Sequence, residues 1–434
     1  MVVDHHNIHY ASNSNQFNHN QSVSLNFLTA SDICLTNESL RLSGSDLERT
    51  FFTLIFPPLC LIGIVGNCLN LIVLLNGEAR QSSHNRSNRL LVAMAFCDIV
   101  FLIAIIPHSL ANYDFFGLSN AFRILYFAVK MHLIALANFL SGITIWLVIA
   151  VSAERLLGIR SLLHASSHWS KCTTVHVIGV IVLISALLNF YSNVSHHCVT
   201  KLLCNNTQVI SKCFNIQENW PGNNIGSPTL RAYVRWSIFL NITFIVFIPV
   251  IIILLLNVAL LMVVRRQSFL MYNRLTIENN SLYQKNGSKR DKNAEVADQQ
   301  LTFRRSIDQT SQFNAERRVS VVVFLVVSSF VVTQAPSAIV LLVNFLRGHE
   351  KRPEDAGVWY NVSIFTGFLV IFGKTLNFIL FCLSSAAFRR RLVKIMSRKN
   401  SFMCTSSGAH LQESLRKYSV PRDVRFCVPV PHDF

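Results

Sequence analysis

Seven apolar blocks, each long enough to cross a bilayer, constrain this chain more than anything else in it. They run over residues 51–75, 90–110, 124–151, 175–190, 236–264, 319–345 and 362–383, the fourth being the shortest. A helix rises about 1.5 Å per residue and the hydrocarbon core is about 30 Å thick, so about 20 apolar residues suffice. Backbone N–H and C=O groups cannot be left unpaired in lipid, so such blocks fold as helices. Pro107, Pro249 and Pro336 fall inside blocks, where membrane helices tolerate a kink. The expected fold is an all-α membrane protein, a seven-transmembrane helix bundle.

Charge gives the orientation. The formal net charge is +17, a balance that in a soluble chain would suggest nucleic acid. Here the bases are not spread evenly. Residues 76–89 hold Arg80, Arg86 and Arg89, and the segment after block three holds Arg155, Arg160 and Lys171. Residues 265–318 carry 11 bases against 6 acids, and the tail from Arg389 carries 10 against 3. The alternate segments are near-neutral or acidic. By the positive-inside rule the N-terminus lies outside and the C-terminus inside, in the plasma membrane. The surplus is then a cytosolic surface facing lipid and partners, and no nucleic acid partner is expected. Only 14% of residues are charged, which excludes an ordinary soluble enzyme or a disordered chain.

Three regions follow. Residues 1–50 form an extracellular, glycosylated tail, with sequons at Asn20 and Asn37 and no apolar leader. Residues 51–383 form the bundle, interrupted at 265–318 by a long polar cytoplasmic loop without a periodic apolar face, read as mostly disordered. Residues 384–434 form an amphipathic helix and a cytoplasmic tail. A third external sequon heads at Asn205, although so Asn-rich a chain also makes sequons by chance. Arg304-Arg-Ser306 and Arg317-Arg-Val-Ser320 match basophilic kinase patterns, which also arise by chance. Arg389, Arg390, Arg391, Lys394, Arg398 and Lys399 would attract anionic lipid, and Cys404 is either a palmitoylation site or an unmodified thiol.

Other classes lack their signals. No H-E-x-x-H or G-x-S-x-G is present, so no enzyme and no cofactor is expected. His164 and His168 have metal-like spacing but no carboxylate nearby. There is no internal repeat of the kind transporters often show.

A set of short motifs lies in order along the blocks. Gly66-Asn67 stands in block one, Leu91-Val-Ala93 and then Asp98 in block two, and Glu154-Arg155-Leu156 at the end of block three. Pro249 stands in block five, Phe330 and Pro336 in block six, Asn377-Phe-Ile-Leu-Phe381 in block seven, and Phe388-Arg-Arg-Arg391 after it. Across 51–391 the chain resembles a rhodopsin-like G-protein-coupled receptor, with a short amphipathic eighth helix. In detail the motifs are similar to those of invertebrate FMRFamide/myosuppressin-type neuropeptide receptors.

The resemblance implies an extracellular peptide ligand, a heterotrimeric G protein, and arrestin and kinases as further partners. A chemosensory receptor for a small molecule is the alternative. Arg155 would pair with Glu154 and, at rest, with Glu316, unless Glu316 is a solvated loop residue. Leu163 would be an apolar knob on the G protein, or a leucine packed on the receptor itself. Asn377 and Phe381 stand in the block-seven motif.

Asp98 is a carboxylate in mid-membrane, where such groups are costly and need a partner. In the family it binds sodium with polar residues that here match Thr144 and Asn377, and Asn67 belongs to the same polar core. Lys374 lies one turn from Asn377 and could supply the cation instead, or face another polar group or water. An opsin is disfavoured because the retinal lysine would stand at Ile371, and an amine receptor because its aspartate would stand at Ala137.

The chain also departs from the pattern. The family's block-three cysteine is Lys130 here, so the usual bridge cannot form. Cys34, Cys198, Cys204 and Cys213 remain in external segments and allow three connectivities, of which one bridge inside the loop and one to Cys34 is favoured. Gln334, Phe381 and Asn257 replace the family's switch aromatics. Tyr113, Asp114, Lys130, His132, Asn138, Gln334, Asn344 and Tyr360 are the pocket candidates. Asp114 could hold a ligand arginine and Lys130 an acidic group or an amide carbonyl, or the two could pair with each other.

Overall fold

We describe the protein from a computed structural model, which defines residues 34–75, 85–161, 171–217, 226–285, 324–325, 327–344, 346 and 356–384, with a few positions between 389 and 397. Helix α1 (Asp46–Leu75) is followed by α2 (Asn85–Ala111), a short α3 (Asp114–Gly117) and the long α4 (Asn120–Ser161). Helix α5 (Lys171–Asn189) leads to strands β1 (His196–Leu203) and β2 (Gln208–Asn215). Helix α6 (Pro228–Val263 over its apolar span, continued to Lys285), α7 (Val327–Asn344) and α8 (Ala356–Ser384) complete the order. Six of these are long and apolar enough, over their described residues, to cross a membrane, and α8 with 29 residues is the seventh of the bundle.

Helix α4 is the axis of the packing. It has 42 residues, about 63 Å at the usual rise, so it is longer than the hydrocarbon core is thick. It packs against α2, α5, α6 and both strands, while α1 packs against α2 and α8. Its buried face carries Ala135, Ala137, Leu140, Ile143, Leu147 and Val148. Many apolar side chains elsewhere stay exposed, among them Leu54, Leu61, Val180, Leu183 and Leu187, as lipid-facing surfaces require.

Helix starts are written in the sequence. Ser45 accepts the amide of Glu48 and opens α1; Ser227, followed by Pro228, does the same for α6 through Leu230. Near its start α1 passes through a π-helical stretch, Phe51–Ile55, just before Pro57 and Pro58. Two prolines bring no N–H to the carbonyls behind them. The carbonyls of Phe52 and Thr53 accept Ser109 Oγ and Tyr113 Oη instead, each at 2.6 Å, which pins α1 to the end of α2.

Two features differ from the sequence expectations. The loop between α5 and α6 is not irregular: β1 and β2 pair antiparallel, with Cys198 opposite Cys213. The all-α bundle thus carries one hairpin, turned at Cys204, Asn205 and Asn206, all at positive φ; two asparagines make that backbone cheap. Helix α6 does not stop at the block edge but runs on to Lys285, so residues 265–285 of the polar loop are helical. Of the expected eighth helix, only positions 389–390, 392–393 and 397 are described, as helical. The segment 386–434 is a separate unit.

Candidate functional site

Two polar centres lie in the bundle, one at mid-depth and one at the hairpin end. At mid-depth, Asp98 of α2 is fully buried and Lys374 of α8 is 1% exposed. Lys374 Nζ donates to Asp98 Oδ1 at 2.7 Å. Thr144 Oγ1 of α4 reaches the same oxygen at 3.4 Å, and the ammonium stands 5.4 Å from the ring centre of Phe101. Asn67 of α1 donates to the carbonyls of Gly63 and Lys374, and Asn70 donates to Asn67 Oδ1.

Small residues make this approach feasible. A Cβ on Gly373 would collide with the Thr333 side chain of α7, and one on Gly63 would meet Leu102 and Thr375. Glycines at both points let α7 press on α8 and α8 on α1. The lysine and the carboxylate thereby close to bonding distance in a dry interior, where an unpaired charge would be costly.

At the hairpin end the chain from Cys34 to Thr50 forms a strap. Cys34 is bridged to Cys204 in the hairpin turn, and Cys198 is bridged to Cys213 across the strands. Gln208 pairs its side-chain amide with both backbone groups of Leu35 at 2.8 Å. Arg123, 3% exposed, ties the parts together. Its Nε donates to the carbonyl of Val209 in β2, and its Nη1 to those of Leu40 in the strap and Gly117 in α3.

Glu48, 1% exposed, is the second hub. Its carboxylate accepts Gly44 N–H at 2.6 Å and Tyr360 Oη–H at 2.5 Å, and lies 3.2 Å from His108 Nε2. His108 Nδ1 is 2.8 Å from Tyr126 Oη.

The pocket candidates divide accordingly. Asp114 is paired with Arg49 at 2.8 Å and with Arg41 at 3.6 Å. Its carboxylate is therefore held by the strap, in place of the pairing with Lys130 that the sequence left open. Tyr113 and Tyr360 also bind the strap region. His132 meets Asn193 Oδ1 at 3.0 Å, at the end of α5. Lys130, Asn138, Gln334 and Asn344 are half-buried, and Asn344 Nδ2 is buried with no hydrogen-bond partner among the described residues.

At the opposite end, Glu154 Oε2 is buried without a partner among the described residues. Arg155 follows it in α4, and Asn377 and Phe381 lie in α8, with side chains outside the described set. Glu316, Leu163 and Asn20 lie outside it altogether. Asn37 and Asn205 are exposed, each in a turn. Sequence reasoning missed Arg41, Glu48, Arg49, His108, Arg123 and Tyr126. The one available signal was Ser45-x-x-Glu48, a capping-box pattern inside an otherwise polar tail.

The comparisons agree with this architecture. Residues 66–381 match the family model described as 7 transmembrane receptor (rhodopsin family). A Caenorhabditis elegans protein named as a candidate G-protein coupled receptor is 36% identical over 368 residues, covering 84% of this chain and 77% of that one. A second such C. elegans protein is 25% identical over 245 residues, covering 56% and 53%. Squid rhodopsin is similar in fold, with a TM-score of 0.55 at 16% identity over 85% of this chain and 90% of that one. The chain belongs to the rhodopsin family of seven-transmembrane receptors. It is a multi-pass membrane receptor of a class that couples an external ligand to a heterotrimeric G protein, and it is not an enzyme.

Proposed function

We propose that this receptor binds an amidated, FMRFamide-like neuropeptide at its hairpin end and activates a G protein at the other. The hairpin end would face outward from the plasma membrane, with the C-terminus in the cytoplasm. The observation that carries this reading is the double-bridged assembly of strap and hairpin. Disulfides persist in oxidising compartments, and a walled rim of paired backbone suits an extended peptide better than a small molecule.

Within the bundle, Asn344 Nδ2 would donate to a ligand carbonyl, and Lys130 would receive an acidic group or the terminal amide oxygen. His132, Asn138 and Gln334 supply further polar contacts. A ligand arginine would reach Asp114 only by displacing Arg41 or Arg49. At the opposite end, Arg155 would bridge to Glu316 at rest and be released to the G protein as α7 moves, with Leu163 as an apolar contact. Ser306 and Ser320 would be kinase sites that recruit arrestin.

A neuropeptide-library screen on cells expressing the receptor with a promiscuous G protein tests the proposal. A response to amidated peptides supports it. Silence toward every such peptide, with a response to small volatile or soluble compounds, transfers the assignment to a chemosensory receptor.

A further inference from the structure

Four side chains from four elements form one chain of polar contacts across the hairpin end. Tyr126 of α4 meets His108 of α2, His108 meets Glu48 of α1, and Glu48 meets Tyr360 of α8. Glu48 also holds the amide of Gly44, so the chain decides how firmly the strap is fastened. The His108 ring stands edge-on to Phe52 at 4.4 Å, with its side chain 20% exposed. The ring is thus partly open at the surface of the protein, while the carboxylate beside it is 1% exposed.

The charged and titratable groups around His108 can be named element by element. The strap and the start of α1 supply Arg41, Glu48 and Arg49, and α3 supplies Asp114, which is already paired with both arginines. Helix α4 supplies Tyr126, with Arg123 one turn before it and Lys130 one turn after, and the Arg123 guanidinium is committed to three carbonyls. Helix α8 supplies Tyr360, and the end of α2 supplies Tyr113, which donates to Thr53. Glu48 is the carboxylate that faces the imidazole directly.

We infer that His108 is a binding site for an extracellular proton, and that protonation fastens the strap over the outer ends of α2, α4 and α8. In the neutral ring, the tautomer with Nε2–H facing Glu48 at 3.2 Å leaves Nδ1 to accept the Tyr126 hydroxyl. The added proton goes to Nδ1, which then donates to Tyr126 Oη, whose own hydrogen turns away. Both ring nitrogens are donors in that state, and the contact to Glu48 becomes a buried ion pair. Imidazole is the side chain that ordinarily changes charge between about pH 5 and 8. A charge-assisted hydrogen bond is roughly twice as strong as a neutral one. Acidification therefore tightens the strap, and alkalinity loosens it.

The extracellular origin of the proton rests on the orientation proposed above; the fastening itself does not. The test therefore uses purified full-length receptor in lipid nanodiscs, with no ligand. Hydrogen–deuterium exchange of peptides spanning residues 44–53 is compared at about pH 6 and about pH 8, with rates corrected for intrinsic chemical exchange. The expected result is corrected exchange about fivefold slower on the acid side. His108→Gln and Glu48→Gln should abolish the difference, and His132→Gln should keep it. Equal corrected exchange in the wild type, or a difference that survives in H108Q, overturns the inference. Should either variant fail to fold, the wild type still decides through exchange at its imidazole carbons. The His108 titration midpoint must coincide with the change in strap protection, and a mismatch overturns the inference.

Discussion

Lys374 and Asp98 form an ion pair, 2.7 Å from Nζ to Oδ1, with both side chains buried. Removing one partner of such a pair leaves the other charge buried and costs about 3–5 kcal/mol. Lys374→Ala should therefore lower the melting temperature sharply. The double variant Lys374→Met with Asp98→Asn should recover most of the loss. Thermal unfolding of the detergent-solubilised receptor checks both.

The same pair predicts an ion response. With its own ammonium on Asp98, the wild type should unfold at the same temperature in sodium chloride and choline chloride. Lys374→Ala frees the carboxylate beside Thr144 and should make sodium stabilising. A sodium effect in the wild type as large as in the variant would mean that the ammonium does not occupy the carboxylate.

Arg123 joins strap, hairpin and α3 by donating to three backbone carbonyls. Hydrogen bonds from charged groups contribute about 1.5–3 kcal/mol each. Arg123→Ala should reduce surface expression severely. Arg123→Lys, whose three donors share one nitrogen and cannot span acceptors served by Nε and Nη1, should recover only part of it. Flow cytometry against an amino-terminal epitope measures both.

Cys34→Ser and Cys204→Ser should have the same effect on stability, and the double variant should add nothing, because they form one bridge. Cys198→Ser should behave independently of that pair. Peptide mapping without reduction should recover these two linkages and no others among the four cysteines.

Glu316→Ala should raise basal signalling if Arg155 is held by it at rest. Unchanged basal activity, at equal surface expression, would assign Arg155 to Glu154 alone.

The bundle was legible because lipid leaves the backbone few options, so seven apolar runs determine seven helices. Asp98 and Lys374 were legible for the same reason: charges in hydrocarbon cannot go unpartnered. The hairpin was harder. Its strand residues, such as Val199, Thr200, Val209 and Ile210, favour strands, and Asn205-Asn206 favours a turn, but the stretch is short and sits between helices. The strap was legible only in the bridge expected at Cys34 and in the Ser45-x-x-Glu48 cap. Residues 34–50 are polar and read as tail, and Arg123 sits in an apolar run with carbonyl partners that carry no sequence signal. What organises that end is tertiary: two cystines and a buried guanidinium.

The bridge from Cys34 to Cys204 spans 170 positions of chain and makes α1, α2, α4 and α5 part of one covalent ring. Tension on the amino-terminal tail would therefore divide at Cys34 between the hairpin turn and the chain leading to α1. The hairpin share would pass along β1 and β2 into Arg123 and the long rod of α4. In mechanical terms Cys34 is a branch point, and part of any pull on the tail would load the helix whose far end carries Glu154 and Arg155.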